Sequence, residues 1–248
     1  MCYKNFYLIL CLAGKGQRFL DEGIFTPKYL LADSKREKTI LELILENLIS
    51  SGIKNFLLVL NEKHFPFKED IDSITNRFNE IDFSFLFIKD SSGQAETGFI
   101  GLEYIKQIGE IDNNSPVGFH NGDTILLNRD LRSMLDLFKD KGVLGIIDTF
   151  NSVDPSYSYI KLDNHNNVQL IKEKSVISNM ATSGFYVFRD TETYFKYYQK
   201  MSTNNSEKFI SDVYSEIILD QGLIKNIHSA NRDTVILGTP KQYAEWIK

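Results

Sequence analysis

The segment Leu12-Ala13-Gly14-Lys15-Gly16-Gln17-Arg18-Phe19 follows directly on an apolar run, and Thr26-Pro27-Lys28 comes shortly after it. These residue types suit the handling of phosphate. Glycine has no side chain to obstruct the backbone, so a glycine turn lets main-chain N–H groups approach an anion closely. Arg18 and Lys28 bring two cations to the same edge. A strand, a glycine turn, an Arg and a Pro-Lys together point to a site for a nucleoside triphosphate. Gly14-Lys15-Gly16 alone says little, because it lacks the third glycine of a dinucleotide fingerprint and the Gly-Lys-Ser/Thr ending of a Walker loop. A glycine pair after a strand is an ordinary turn about half the time.

Other chemistry-bearing residues admit a plain reading beside the functional one. Asp123, after Asn121-Gly122, is either a turn residue or a cation ligand at a strand end. Glu173-Lys174 is either an exposed charge pair of little worth or a ligand contact. Gly184 marks a close backbone approach within a strand, which an acceptor pocket also needs. The four histidines have no metal-ligand spacing. His120 is by default a packed strand residue, with a hydrogen bond to ribose or phosphate as its functional reading. Asp70-Ile71-Asp72 falls in a charged helical stretch, where a solvated face is the rule. Tyr157, Tyr159, Phe185 and Tyr186 border an acceptor or, as is usual at strand spacing, fill the core.

These residues need strand ends to hold them. Apolar runs at 6–12, 56–60, 83–88 and 117–120 read as buried strands, alternating with amphipathic helices. Thr39-Ile40-Leu41-Glu42 matches a capping box, and the helix it opens stops before Gly52. Pro66 is expected to open the next helix, and 93–108 another. The second half has shorter connections, with strands at 143–149, 157–162, 168–172 and 183–188 and a hairpin turn at His165-Asn166-Asn167. Helices at 191–200 and 207–221, strands near Ile224 and Val235, and a helix after Pro240 complete the chain. The expected fold is α/β, a Rossmann-like mixed and mainly parallel sheet with helices on both faces. We read 1–248 as one domain, with a nucleotide-binding half to about 125 and an acceptor-binding half from about 126. The site then lies at the carboxyl ends of the strands.

Composition sets the bounds. Of the 248 residues, 42% are hydrophobic, enough for a sizeable core. A net charge of −5 gives no basic field for nucleic acid, so any anion site is local. Cys2 and Cys11 have no redox or metal spacing and read as reduced thiols in a cytoplasmic protein. The apolar start is too short to span a bilayer, and no membrane partner is expected.

With Arg18 and Pro27-Lys28 at their spacing, the chain resembles the nucleotidyltransferases that activate sugar phosphates. Further segments carry the resemblance in order: Ser92-Gly93-Gln94-Ala95-Glu96-Thr97, Asn121-Gly122-Asp123, Glu173-Lys174, Thr182-Ser183-Gly184-Phe185-Tyr186-Val187-Phe188, Glu207 with Asp212, and Gly238-Thr239-Pro240. The resemblance implies transfer of a nucleoside monophosphate to a phosphorylated small-molecule acceptor with release of pyrophosphate, and Mg²⁺ as cofactor. By it, residues 13–19 cradle the phosphates, and the nucleotide-binding set is Leu12, Ala13, Gly14, Lys15, Gly16, Gly93, Gln94, Ala95 and Gly122. Arg18 faces the leaving pyrophosphate, Lys28 the α-phosphate, and Asp123 the metal. Lys174 meets the acceptor's phosphate and Glu173 its polar body, with Gly184 and Glu207 also at the acceptor.

Two departures bear on this. Many such relatives carry a second magnesium-binding Asp two residues before the Gly of Gly-Thr-Pro; here that position is Ile236. Asp233 and Asp212 are the substitutes considered. Ser175 stands where a proline usually follows Glu-Lys. Gly-Gln-Ala-Glu-Thr and the missing Asp look most like capsule-biosynthesis members, the nearest reading being a CTP-dependent enzyme resembling phosphoglutamine cytidylyltransferases. A UTP-, dTTP- or GTP-dependent sugar-1-phosphate enzyme is the alternative. A glycosyltransferase of related fold or a noncatalytic nucleotide sensor are the other classes, and a homo-oligomer is compatible with the sequence.

Overall fold

The computed structural model describes residues 6–33, 35, 37–201 and 207–248, so Cys2 lies outside the described residues. The elements in order are β1 (Tyr7–Leu12), α1 (Gln17–Leu20), β2 (Ala32–Asp33), β3 (Lys38–Thr39), α2 (Ile40–Ser50), β4 (Asn55–Asn61), α3 (Lys68–Thr75), β5 (Asp82–Ile88), α4 (Gln94–Gln107), β6 (Val117–Asn121), β7 (Thr124–Leu126) and α5 (Leu131–Asp136). There follow β8 (Val143–Asn151), β9 (Tyr159–Leu162), β10 (Val168–Lys172), β11 (Met180–Phe188), α6 (Thr191–Lys200), α7 (Ile210–Leu219), β12 (Leu223–His228), β13 (Thr234–Ile236) and α8 (Pro240–Trp246).

The main sheet runs β5-β4-β1-β6 in parallel, then the antiparallel β11, with β8 and β12 beyond it. It is thus mixed and mainly parallel, as expected. The pleat of β1 explains its apolar run, because alternate residues enter two cores. Leu8, Leu10 and Leu12 pack under α2, α3 and α5, while Tyr7 and Ile9 pack under α4, α6 and α7. Thr39 caps α2 as read: its Oγ1 accepts from the Glu42 N–H at 3.2 Å, and Glu42 Oε2 accepts from the Thr39 N–H at 2.7 Å. No described helix is long and apolar enough to cross a membrane.

Two topological facts position the site. From β1 the chain steps outward through β4 to β5, then returns to place β6 on the other side of β1. The resulting switch point leaves a crevice at the carboxyl ends of β1 and β6. In addition, β11 pairs with β6 only from Phe185 onward, and its register against β8 shifts between Thr182 and Tyr186. Gly184 sits in that bulge with φ +83°, and a Cβ there would lie 2.2 Å from Asn121 Nδ2. The glycine lets the bulge press on the end of β6.

Several boundaries differ from expectation. Pro66 lies in a 3-10 turn (Glu62–Phe67) and the helix begins at Lys68, while the helix expected from Glu207 begins at Ile210. Tyr157 belongs to the loop before β9 rather than to the strand. Asp70-Ile71-Asp72 lies on α3, where Asp72 pairs with Lys68 one turn away and Ile71 is buried. This is the solvated helical face expected.

Candidate active site

A cleft of roughly 650 Å³ opens at the switch point. Ala13, Gly14, Lys15, Gly16, Arg18, Lys28, Gly93, Gln94, Gly122, Asp123, Glu173, Lys174, Gly184 and Glu207 all line it. Residues spread over nearly the whole sequence therefore meet on one surface.

The glycine loop leaves β1 at its carboxyl end. Gly16 takes φ +64° and opens α1, which turns Arg18 outward to solvent and buries Phe19 beneath it. Lys15 is largely exposed and lies 3.6 Å from Asp90. Asn61, at the end of β4, ties this corner together by donating to Ala13 O at 3.2 Å and to Asp90 Oδ1 at 2.9 Å. The Leu12 side chain is buried in the core, and Leu12 is not among the residues that line this cleft.

Lys28 opens the 3-10 turn Lys28–Leu30, anchored by the buried Tyr29, whose hydroxyl meets His64 Nδ1 at 3.1 Å. From there Lys28 Nζ reaches Asp123 Oδ2 at 2.5 Å. Asp123 sits in the turn between β6 and β7, and its carbonyl accepts from the Leu237 N–H at 2.7 Å. Burial pushes its carboxyl upward, but the Lys28 charge and hydrogen bond outweigh this and hold it below the ordinary carboxylate range. Asp123 is therefore an anion at neutral pH, balanced by a lysine.

Among the described residues no group of three or more His, Cys, Asp and Glu could hold a metal ion. Mg²⁺ does not need one, since it is commonly held by one or two carboxylates together with substrate phosphates and water. The oxygen donors around Asp123 fit that demand. They include the side-chain oxygen of Gln242, which is buried on the same wall without a hydrogen-bond partner among the described residues.

Neither substitute for the second Asp lies among the residues that line the cleft. Asp233 lies in the 3-10 turn Asn231–Asp233, away from the cleft wall. Its carboxylate accepts from Asn128 Nδ2 at 2.8 Å, and its carbonyl is pinned by Arg129 Nη1 at 2.6 Å. Asp212 caps α7 by accepting from the Phe209 N–H at 3.1 Å and is likewise absent from the wall. Ile236 does line the cleft, opposite Thr124 in the β13–β7 ladder.

Gln94 lies at the first turn of α4 and donates from Nε2 to Asn121 Oδ1. Ala95 does not present its N–H to a ligand: it is fully buried and donates to Lys208 O at 3.0 Å. Its N–H is thus used within the fold. His120 is buried, with Nε2 2.8 Å from Thr124 O and its ring against Phe185. Burial lowers its pKa, so it is a neutral packed histidine. Cys11 lines the floor of the cleft, but burial pushes its thiol up and leaves it un-ionised.

At the other end of the cleft, Glu173 accepts from Ser211 Oγ at 2.8 Å and from Ser158 Oγ. Lys174 reaches Glu207 at 3.3 Å and lies over the Phe209 ring at 4.4 Å. Tyr157 and Tyr186 line the cleft, whereas Tyr159 and Phe185 pack in the core. Burial raises the Glu173 pKa, against the two serine hydrogen bonds. A carboxyl that binds its proton more tightly when folded makes the protein lose stability as pH rises through the window above the ordinary Glu range. Glu173→Gln is expected to flatten that part of the stability–pH curve, measured by urea denaturation at a series of pH values; an unchanged slope would refute the assignment.

Sequence reading missed Ser158, Ser211, Asn61 and Gln242, and it left Tyr157 open between the acceptor wall and the core. Asn61 alone left a signal, a polar residue ending a buried strand.

Residues 8–246 match the nucleotidyl transferase family. The chain belongs to that family. It is a nucleotidyltransferase, and the alternatives of a glycosyltransferase and a noncatalytic sensor are set aside. Its structure is similar to a nucleoside-diphosphate-sugar pyrophosphorylase from Vibrio cholerae RC9, at 21% identity and TM-score 0.86 over 97% of this chain and 99% of that one. It is also similar to a putative glucose-1-phosphate thymidylyltransferase from Bacillus anthracis, at 18% identity and TM-score 0.77 over 96% and 92% of the two chains. A UDP-glucose pyrophosphorylase complexed with UDP-glucose matches at 18% identity and TM-score 0.76, over 98% and 97%. At these identities the likeness speaks to the fold. No curated protein sequence matches significantly.

Proposed function

We propose that the protein transfers a nucleoside monophosphate from a nucleoside triphosphate to a sugar 1-phosphate, with release of pyrophosphate. The observation that carries this reading is the Lys28–Asp123 pair at the switch point, facing the glycine loop and Arg18 across one cleft.

An oxygen of the acceptor phosphate attacks the α-phosphorus; one P–O bond forms and the bond to pyrophosphate breaks. The attacking oxygen is already anionic near neutral pH, so positioning and charge neutralisation suffice. The loop at residues 13–19 and Arg18 stabilise the charge growing on pyrophosphate. Magnesium, held by Asp123, would neutralise phosphate oxygens when bound. Lys28, which balances Asp123 in the ligand-free protein, is then free to turn to the α-phosphate. Lys174 meets the acceptor's phosphate, and Glu173 with the hydroxyls of Ser158 and Ser211, and Thr182 on the same cleft, suit a polyhydroxylated body.

Gln94 supplies an amide that donates and accepts, which suits a pyrimidine, and CTP is the base we favour. A second acceptor, L-glutamine phosphate in a capsule-type assembly, is favoured by Glu173: an α-ammonium group pairs with a carboxylate as readily as sugar hydroxyls do. Pyrophosphate release with Mg²⁺ tests the whole reading, pairing CTP, UTP, dTTP, GTP and ATP with hexose 1-phosphates and L-glutamine phosphate. Release that requires CTP and a hexose 1-phosphate is the expected result. Release only with glutamine phosphate selects the second acceptor, and release without any acceptor overturns both.

A further inference from the structure

The cleft wall beside Asp123 carries a buried oxygen that no described residue binds. Gln242 stands in the first turn of α8, where its N–H donates to Thr239 Oγ1 at 3.2 Å. Its Nε2 is anchored to the Tyr157 hydroxyl at 3.1 Å. The other end of the amide, Oε1, is buried and has no partner among the described residues. Buried acceptors are rarely left unpaired, and an exception calls for a ligand. His120 Nδ1 is also unpartnered among the described residues, but it lies in packed interior against Phe185. Gln242 is on the cleft wall.

Gly238 reports where this oxygen lies. A Cβ built on Gly238 would be 3.1 Å from Asp123 Oδ2 and 3.7 Å from Gln242 Oε1, so both oxygens flank the same point. The loop is fixed there because the Leu237 N–H donates to Asp123 O at 2.7 Å. Ile236, on the same wall, offers only hydrocarbon.

We propose that the side-chain carbonyl of Gln242 is a second protein oxygen donor to the divalent cation held by Asp123, occupying the role that Ile236 cannot fill. Amide carbonyls are ordinary ligands for hard cations. The exchange of a carboxylate for an amide leaves the protein part of the site with one negative charge instead of two. Cation affinity in the absence of nucleotide is accordingly low, and the triphosphate supplies most of the charge that holds the metal. Tyr157 acts as a positioning residue, because its hydroxyl takes the amide nitrogen and so directs the oxygen to the cation. This inference rests on the reading of Asp123 as the metal-binding carboxylate.

The test is Mn²⁺ binding to the full-length protein without nucleotide, followed by electron paramagnetic resonance of free Mn²⁺, with folding checked by circular dichroism. Gln242→Leu is expected to weaken binding by about tenfold and Gln242→Glu to tighten it by about tenfold. Tyr157→Phe is expected to fall between wild type and Gln242→Leu. Asp123→Ala abolishes binding if the underlying reading holds; binding that survives this change refutes that reading itself. Loss in Asp123→Ala with both Gln242 variants equal to wild type overturns the present proposal alone. It is also overturned if Gln242→Glu weakens binding, since the amide would then be turned to donate to Asp123, or if that variant shows no binding.

Discussion

Asp123→Ala is expected to lower kcat by about 10³-fold while the protein stays folded. Charge stabilisation at a transferring phosphoryl group is worth about 10²–10⁵ in rate per group removed. The fold tolerates the change because Lys28, whose side chain is 26% exposed, can turn into the open cleft and rehydrate. The acid side of the stability curve gives an independent check. A carboxyl held below its ordinary pKa contributes stability above the unfolded-state pKa, and this is lost as pH falls through the folded-state value. Asp123→Ala therefore removes part of the acid-side loss of stability seen in the wild type. Arg18→Ala is expected to reduce kcat to a similar extent with no change in melting temperature, because Arg18 is solvent-exposed. Turnover within about tenfold of wild type in both variants would remove the reaction from this cleft.

Gly93→Ala is expected to carry the largest stability cost among single changes at the cleft. Gly93 has φ +138°, and a Cβ there would lie 2.4 Å from Lys208 O and 2.8 Å from Lys208 N. These are backbone atoms and cannot swing aside as a side chain would. They also make the two hydrogen bonds that fasten the Gln94 loop to the segment before α7: Lys208 N–H to Ser92 O at 2.7 Å, and Ala95 N–H to Lys208 O at 3.0 Å. Backbone strain of about 1 kcal/mol and two hydrogen bonds at about 1 kcal/mol each sum to roughly 3 kcal/mol. For a chain of this size that lowers the melting temperature by about 6–12 °C. Both substrates are affected, since one side of this junction carries Gln94 and the other Glu207 and Phe209. Calorimetry together with KM for each substrate checks this; a fall in melting temperature below about 2 °C would show that Lys208 is free to move.

Much of this site was legible along the chain because its parts are local. The glycine loop with Arg18, Pro27-Lys28 and Asn121-Gly122-Asp123 each follow an apolar run, and in a parallel sheet the carboxyl ends of neighbouring strands face the same edge. The alternation of buried strands and amphipathic helices likewise carried the mixed α/β fold, and the Thr39–Glu42 capping box marked a helix start to the residue. Bounds were less legible where pairing sets them. β11 begins at Met180 rather than Ser183 because its first residues pair with β8 and meet β9 across the Gly184 bulge. The short β7 exists through its ladder with β13.

The sequence by itself therefore determined which backbone turns and charges meet at the strand ends, since spacing within one segment and the handedness of the crossovers suffice for that. Only the tertiary structure decided which polar groups are spent on the fold and which are left for a ligand. The Ala95 N–H is consumed by Lys208, Asp212 by a helix cap, and the Asp233 carboxylate by Asn128. Ser158 and Ser211 converge on Glu173, and Gln242 is aimed beside Asp123, from segments far apart in the chain. Hydrogen-bond partners are fixed by register and packing across such segments, and a list of residue types carries neither.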